Sequence, residues 1–222
     1  MPHLYTTSLL IVLVPFLASA TPETPLMKPR KANYPINPLF LQRQSHYSLQ
    51  RTLSPEQMKK KLNCMFEAAR WAPSSYNNQP WRYIYAIHGT PAWKKLFNLL
   101  VPFNQEWVQN AGALLLVISS TKYEHNGQDA TTHSFDTGLA SMQLMLEATT
   151  LGLVAHGMSG FDAQAARKDY KIPQNFSIEA MIAIGEVAPE GKSRKEFMER
   201  DAKVATRKKI SEFAFEGEMP KS

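Results

Sequence analysis

The chain holds a single cysteine, Cys64, so no internal disulfide can form. It contains no CxxC pair and no HExxH helix, which removes zinc-ribbon and metallohydrolase classes. Neither glycine-rich nucleotide loop, GxGxxG or GxxxxGK[ST], is present. The histidines at 3, 46, 88, 125 and 133 are scattered without ligand spacing, and no period of about 20–50 residues recurs. No Ser-His-Asp set or paired carboxylates suggest a protein nucleophile or acid/base pair. What is present is apolar material for a core: 44% hydrophobic and 20% charged residues in 222, with a mean hydropathy of −0.32. That fits one large domain with a tail, not two domains, a collagen or a disordered chain. The 25 Lys+Arg against 19 Asp+Glu leave +6, which suits nucleic acid, a membrane surface or a bound phosphate without choosing among them.

Leu9–Leu17 (LLIVLVPFL) followed by Ala18-Ser19-Ala20 has the apolar core and small-residue cleavage pattern of a secretory signal peptide, and is too short to span a bilayer. The preceding MPHLYTTS carries no Lys or Arg, unlike such a peptide. Two readings stay open: a leader, giving an exported form, or a misassigned upstream start with Met27 opening a cytoplasmic chain. Neither implies stable membrane insertion. Prolines at 22, 25, 29, 35 and 38 make the following stretch an extended arm. The division expected is leader and arm over 1–36 and a folded domain over 37–222.

Ser54-Pro55-Glu56-Gln57 opens a helix, with Met58, Leu62, Met65 and Ala69 on one face to about Trp71 and Pro73 as the stop. Trp81, Tyr83, Tyr85 and Ile87 alternate with Arg82, Ile84 and Ala86, a strand pattern. Thr90-Pro91 starts a helix with Trp93, Leu96, Phe97 and Leu100 on one stripe. ALLLVI, 113–118, is a strand covered on both faces. The longest helix spans about Thr132–Leu151, with Phe135, Leu139, Met142, Leu146 and Thr149 as the core stripe and Leu144, Met145 and Ala148 as a second, exposed apolar strip. A strand at Leu153–His156, a helix at about Asp162–Tyr170 and a strand at Ile178–Ile184 follow, before a strongly charged end, 193–222. Without a regular βαβ rhythm the fold class is α+β, a sheet sandwiched by helices. Cys64 on its amphipathic helix reads as a small buried thiol, and His156 as a hydrogen-bonded core histidine.

Ala72-Pro73-Ser74-Ser75-Tyr76-Asn77-Asn78-Gln79-Pro80-Trp81 concentrates hydroxyls and amides between two prolines. Such groups donate and accept, which suits the edge of a planar heterocycle; by composition alone the stretch reads first as a Ser/Asn turn. Its pattern, Ala-Pro-Ser-Ser-x-Asn-x-Gln-Pro-Trp, resembles the signature of the nitroreductase family of FMN-dependent oxidoreductases. The resemblance continues through Asn37–Phe40 into Arg43-Gln44-Ser45, Asn104–Trp107, Asp136–Ala140, Gly157–Asp162, and Arg207–Lys209 with Ser211–Phe213, covering about residues 35–217.

The resemblance implies a mostly antiparallel central sheet flanked by helices, in a homodimer with FMN at the subunit interface. It assigns Arg43 and Ser45, with Gln44 beside them, to the FMN phosphate and ribityl chain, and Arg207 as a second cationic arm. Guanidinium meets a phosphate with two parallel hydrogen bonds. Lys208 and Lys209 are weaker members, since a basic run includes residues that only face water. Pro73, Ser74, Ser75 and Asn77 reach the flavin across the interface, and Asn104 reads the pyrimidine edge. Ser159 and Gly160 form the turn beside flavin N5. Gly160, lacking Cβ, lets backbone N–H approach the ring. Asp136 is either near the cofactor or a helix cap. The family usually has Arg or Lys where Tyr47 stands, which removes one positive charge near the phosphate or the nicotinamide donor. Some members carry Glu at the position of Ser159.

The activity implied is hydride delivery from NADH or NADPH to FMN and on to a nitroaromatic, a quinone or a similar small-molecule acceptor, in ping-pong order and with no catalytic side chain. One alternative is a flavin-binding or storage protein without turnover. A nucleic-acid module is disfavoured because the aromatics sit on apolar stripes and are not interleaved with the bases.

Overall fold

The structure, a computed structural model, describes residues 30–220. The leader, the alternative start at Met27 and the first part of the arm lie outside the described residues. In chain order the elements are α1 (Leu39–Gln42), β1 (Leu49–Gln50), α2 (Pro55–Arg70), β2 (Trp81–Ile87), α3 (Pro91–Phe97), α4 (Pro102–Val108), β3 (Ala113–Ser120), α5 (His133–Thr150), β4 (Val154–Met158), α6 (Ala163–Asp169), β5 (Phe176–Val187) and α7 (Lys195–Asp201).

The helix starts follow local chemistry. Ser54 Oγ accepts Gln57 N–H at 3.2 Å while Gln57 Oε1 accepts Ser54 N–H at 2.9 Å, a reciprocal capping box with Pro55 at the first helical position. Met58, Leu62, Met65 and Ala69 are buried as their spacing requires. Thr90 caps α3 through Trp93 N–H, and Asp162 caps α6 through Ala165 N–H.

The sheet is antiparallel, in the order β1-β5-β3-β2, with β4 also paired to β5. Every residue of β3 is buried, because helices cover both faces of the sheet. Period-two alternation divides its side chains between two cores. Ala113, Leu115 and Val117 meet α2 and α5 through Met58, Leu62, Met65, Ala140, Leu144 and Ala148. Leu114, Leu116 and Ile118 meet α3, α4, α6 and α7 through Trp93, Leu96, Trp107, Ala166 and Phe197. The β2 alternation holds likewise: Trp81, Tyr83 and Ile87 belong to the first core, Ile84 and Ala86 to the second. This is the α+β sandwich expected, with strands at 154–158 and 176–187 running longer than their apolar runs.

Three expectations are corrected. In α5 the buried residues are Asp136, Thr137, Ala140, Leu144 and Ala148, while Phe135 is 69% and Met142 45% exposed. Leu144 and Ala148, expected on the exposed strip, therefore belong to the core and Phe135 and Met142 face outward, while Leu139 and Met145 are partly buried against the first core. The reason is that α5 is apolar on two sides, and the smaller residues Ala140 and Ala148 let α2 approach closely. Cys64 is exposed, facing away from the buried side of α2. Short α4 and α7 arise where no helix was expected; α7 buries only Phe197 in a charged segment, too little for a periodic signal.

Candidate functional site

A pocket of about 260 Å³ opens where the segment joining α1 to β1 meets the end of α7 and the tail beyond it. Its wall includes Arg30, Arg43, Gln44, Ser45, Tyr47, Arg200, Lys203 and Arg207, which places five of the expected residues together with three cations that sequence reasoning missed. The α1–β1 segment is held by Asp201, the last residue of α7. One carboxylate oxygen accepts Tyr47 N–H at 2.8 Å, and the other accepts Ser48 N–H at 2.8 Å and lies 3.6 Å from His46 Nδ1. Burial opposes the Asp201 charge, but hydrogen bonds from His46, Tyr47 and Ser48 outweigh it and hold the carboxyl below the usual range.

Among the described residues no carboxylate pairs with these cations. There Arg43 Nη1 reaches only Ser45 Oγ, at 3.4 Å, and Arg30 Nη1 donates to the Arg43 carbonyl at 2.7 Å. Burial and then the charge of Arg207 make Arg43 easier to deprotonate than an ordinary guanidinium; for Arg30 the causes are burial, Arg43 and Arg207 in that order. Mutually repelling, partly desolvated cations are what a dianion would stabilise. Lys208 is exposed and lies outside this wall, and Lys209 N–H caps a short 3-10 turn through Glu212.

The Tyr47 side chain brings no positive charge to the pocket wall. Its ring packs edge-on to His156 at 4.8 Å and Trp107 at 5.3 Å, inside the second core. His156 donates from Nδ1 to the His46 carbonyl at 2.9 Å and stacks on Trp107 at 4.5 Å, and burial disfavours its charged form.

Asn104 on α4 and the 159–160 turn are one unit. Asn104 Nδ2 donates to Gly160 O at 2.9 Å, Asn104 Oδ1 accepts Trp107 Nε1–H at 3.2 Å, and Val101 N–H reaches the same Gly160 carbonyl at 3.1 Å. A Cβ at Gly160 would stand 2.7 Å from Asn104 Nδ2 and 3.0 Å from Val101 Cγ2. Packing inside the protein therefore demands glycine here, a reason additional to ligand approach. Asn104 keeps one amide hydrogen and one lone pair for a ligand edge. Ser159 is exposed beside it.

The 73–79 loop is held in a costly backbone shape: Tyr76, Asn77 and Gln79 all have left-handed φ, at 52°, 53° and 47°. Its anchors are side chains. Asp136 Oδ2 accepts Ser75 N–H and the Thr132 hydroxyl, both at 3.1 Å; Ser75 Oγ and Tyr123 OH share a hydrogen bond of 3.1 Å; Ser74 Oγ accepts Gln79 N–H at 2.9 Å. Asn78 pins the loop to the next segment through Glu124 N–H and Lys122 O. Asp136 is only 4% exposed and lies within the first turn of α5, whose cap position is Thr132. It is the loop's clamp. Pro73 and Asn77 are exposed, with Ser74 and Ser75 half-buried.

No residue of 73–79 lines the cationic pocket. The sheet order explains why: β1, which follows Arg43, and β2, which follows the loop, stand at opposite ends of β1-β5-β3-β2.

A family model described as the nitroreductase family matches residues 87–186. A solved structure described as an oxidoreductase containing FMN is 36% identical, with a TM-score of 0.79 over 86% of this chain and 96% of that one. A nitroreductase family protein from Clostridium difficile 630 shares the fold at 24% identity, with a TM-score of 0.60 over 82% of this chain and 97% of the other. A Bacillus subtilis (strain 168) protein provisionally named NAD(P)H nitroreductase YdgI is 26% identical over 169 residues, 60% of this chain and 80% of its own length.

Proposed function

Since the chain belongs to the nitroreductase family, we propose that it binds FMN and passes reducing equivalents from NADH or NADPH to a nitroaromatic, a quinone or a similar acceptor. The observation that carries this reading is the pocket of cations around Arg43, Ser45 and Arg207, matched to a dianionic phosphate. The residues fit the group: repelling guanidinium ions at one end, and a glycine turn next to a half-satisfied amide, Asn104, at the other.

When bound, FMN supplies a ring that accepts hydride and gives it up at N5. The protein's part is to bind and orient. Arg43 and Arg207, with Ser45 and Gln44, hold the phosphate end. Gly160 keeps the 159–160 backbone close to Asn104, and the free amide hydrogen of Asn104 serves the pyrimidine edge. The strained 73–79 loop, clamped by Asp136, presents Ser74, Ser75 and Asn77 in one fixed arrangement, which is the preorganisation a flat ring requires.

A second copy completes the site in this reading. The loop and the cationic pocket sit at opposite ends of the sheet order, and α5 carries an uncovered apolar strip through Phe135 and Met142. A two-fold interface would cover that strip on both copies and bring one copy's loop to the other's pocket.

The test is the absorption spectrum of purified protein before and after anaerobic NADH or NADPH. A yellow protein bleached by either donor is expected, and reoxidation by a nitroaromatic or quinone should give parallel double-reciprocal lines. A colourless protein that refuses added FMN overturns the reading. A yellow one that no nicotinamide bleaches points to flavin storage, and intersecting lines exclude the ping-pong order.

A further inference from the structure

We propose that Arg200 is a phosphate-binding residue of the cationic pocket, held in place by the aromatic faces of Tyr47 and Phe103. This assignment rests on the FMN reading. Its guanidinium carbon lies 5.6 Å from the Tyr47 ring centroid and 5.0 Å from that of Phe103. A guanidinium on an aromatic face loses little solvation and keeps its in-plane N–H donors for an anion.

The charges around α7 sort themselves. Arg194 pairs with Glu106 and Glu196, and Lys195 pairs with Glu199, all on exposed side chains. Asp201, adjacent to Arg200, is committed to His46, Tyr47 and Ser48. Among the described residues Arg200 and Lys203 make no salt bridge, and both line the pocket with Arg43 and Arg207. Arg194 and Lys195, which do not line the pocket, thus have carboxylate partners, and Arg200 and Lys203, which line it, have none among the described residues. Arg200 supplies positive charge beside Tyr47, whose own side chain is aromatic, so the Arg43-Gln44-Ser45-His46-Tyr47 segment gains a second guanidinium from 153 residues further along the sequence than Tyr47. Tyr47 is the positioning residue, and Arg200 makes the contact.

The contrast between FMN and riboflavin, which lacks the phosphate, isolates this role. Flavin fluorescence titration of wild type, R200Q and R200K at two salt concentrations is the experiment. R200Q should bind FMN about tenfold more weakly, with riboflavin affinity unchanged and a smaller salt dependence of FMN binding. R200K should fall between wild type and R200Q, because it keeps charge but loses the planar contact. Arg200 is exposed, so the thermal midpoints without flavin should coincide. The assignment is overturned if R200Q binds FMN like wild type, or loses FMN and riboflavin equally. A wild type that takes up neither flavin overturns the FMN reading and this assignment together.

Discussion

Asp201 accepts the backbone N–H of Tyr47 at 2.8 Å across 154 positions of sequence. The wall of the cationic pocket is therefore fastened by a carboxylate that is not itself a ligand for an anion. A negative charge in that wall is tolerated because two backbone N–H groups and His46 surround it.

Replacing that carboxylate should be costly and pH-dependent. Asp201→Asn is expected to lose about 1.5–3 kcal/mol of stability at neutral pH, the range for hydrogen bonds to a charged group. The folded carboxyl sits below its ordinary 3.8, so its contribution is present above that value and disappears as pH falls through the folded one. Denaturant unfolding at pH 7 and at about pH 3 should show the gap between wild type and variant narrowing in acid.

Arg43→Ala should weaken FMN binding by about 1.5–3 kcal/mol, the worth of a charge-assisted contact. Saturating FMN, at about 100 times its dissociation constant, should stabilise the wild type by about 2.7 kcal/mol. At that same concentration Arg43→Ala should gain much less, and thermal melts with and without FMN measure both. Equal stabilisation of both proteins would remove Arg43 from the site.

Met142→Glu should separate the subunits and release flavin, because Met142 is 45% exposed on the uncovered strip of α5. Met145→Glu should instead cost stability, since Met145 is partly buried against α2 within the same chain. Light scattering with simultaneous flavin absorbance distinguishes them. Wild type should appear at twice the chain mass of 25.1 kDa, and a flavin-loaded monomer would contradict the two-subunit site.

Gly160→Ala should destabilise by about 1–3 kcal/mol, the usual cost of overpacking, because its Cβ would meet Asn104 Nδ2 at 2.7 Å. Combining it with Asn104→Ala should cost less than the sum of the two single changes. Unfolding of the four proteins of this cycle is the measurement, and strict additivity would show that the two residues are not in contact.

The sequence alone determined what depends on neighbours in the chain. Ser54, Pro55 and Gln57 specify where α2 begins, the alternation over 81–87 specifies β2, and the unbroken apolar run from Ala113 specifies a strand covered on both sides. The 73–79 loop stood out as a dense local run of hydroxyls and amides, whereas Arg43 and Ser45 could be singled out only through the resemblance to the nitroreductase pattern. The tertiary structure decided everything that joins distant segments. Spacing of 3–4 residues shows that α5 has apolar sides, but only packing on α2 selects Leu144 over Met142 for burial. Asp136 becomes the clamp of Ser75 across 61 positions, and Arg200 and Lys203 join Arg43 at one pocket from a charged segment without periodicity. Such partnerships depend on which surfaces the folded sheet brings together, and that information lies in no single window of the chain.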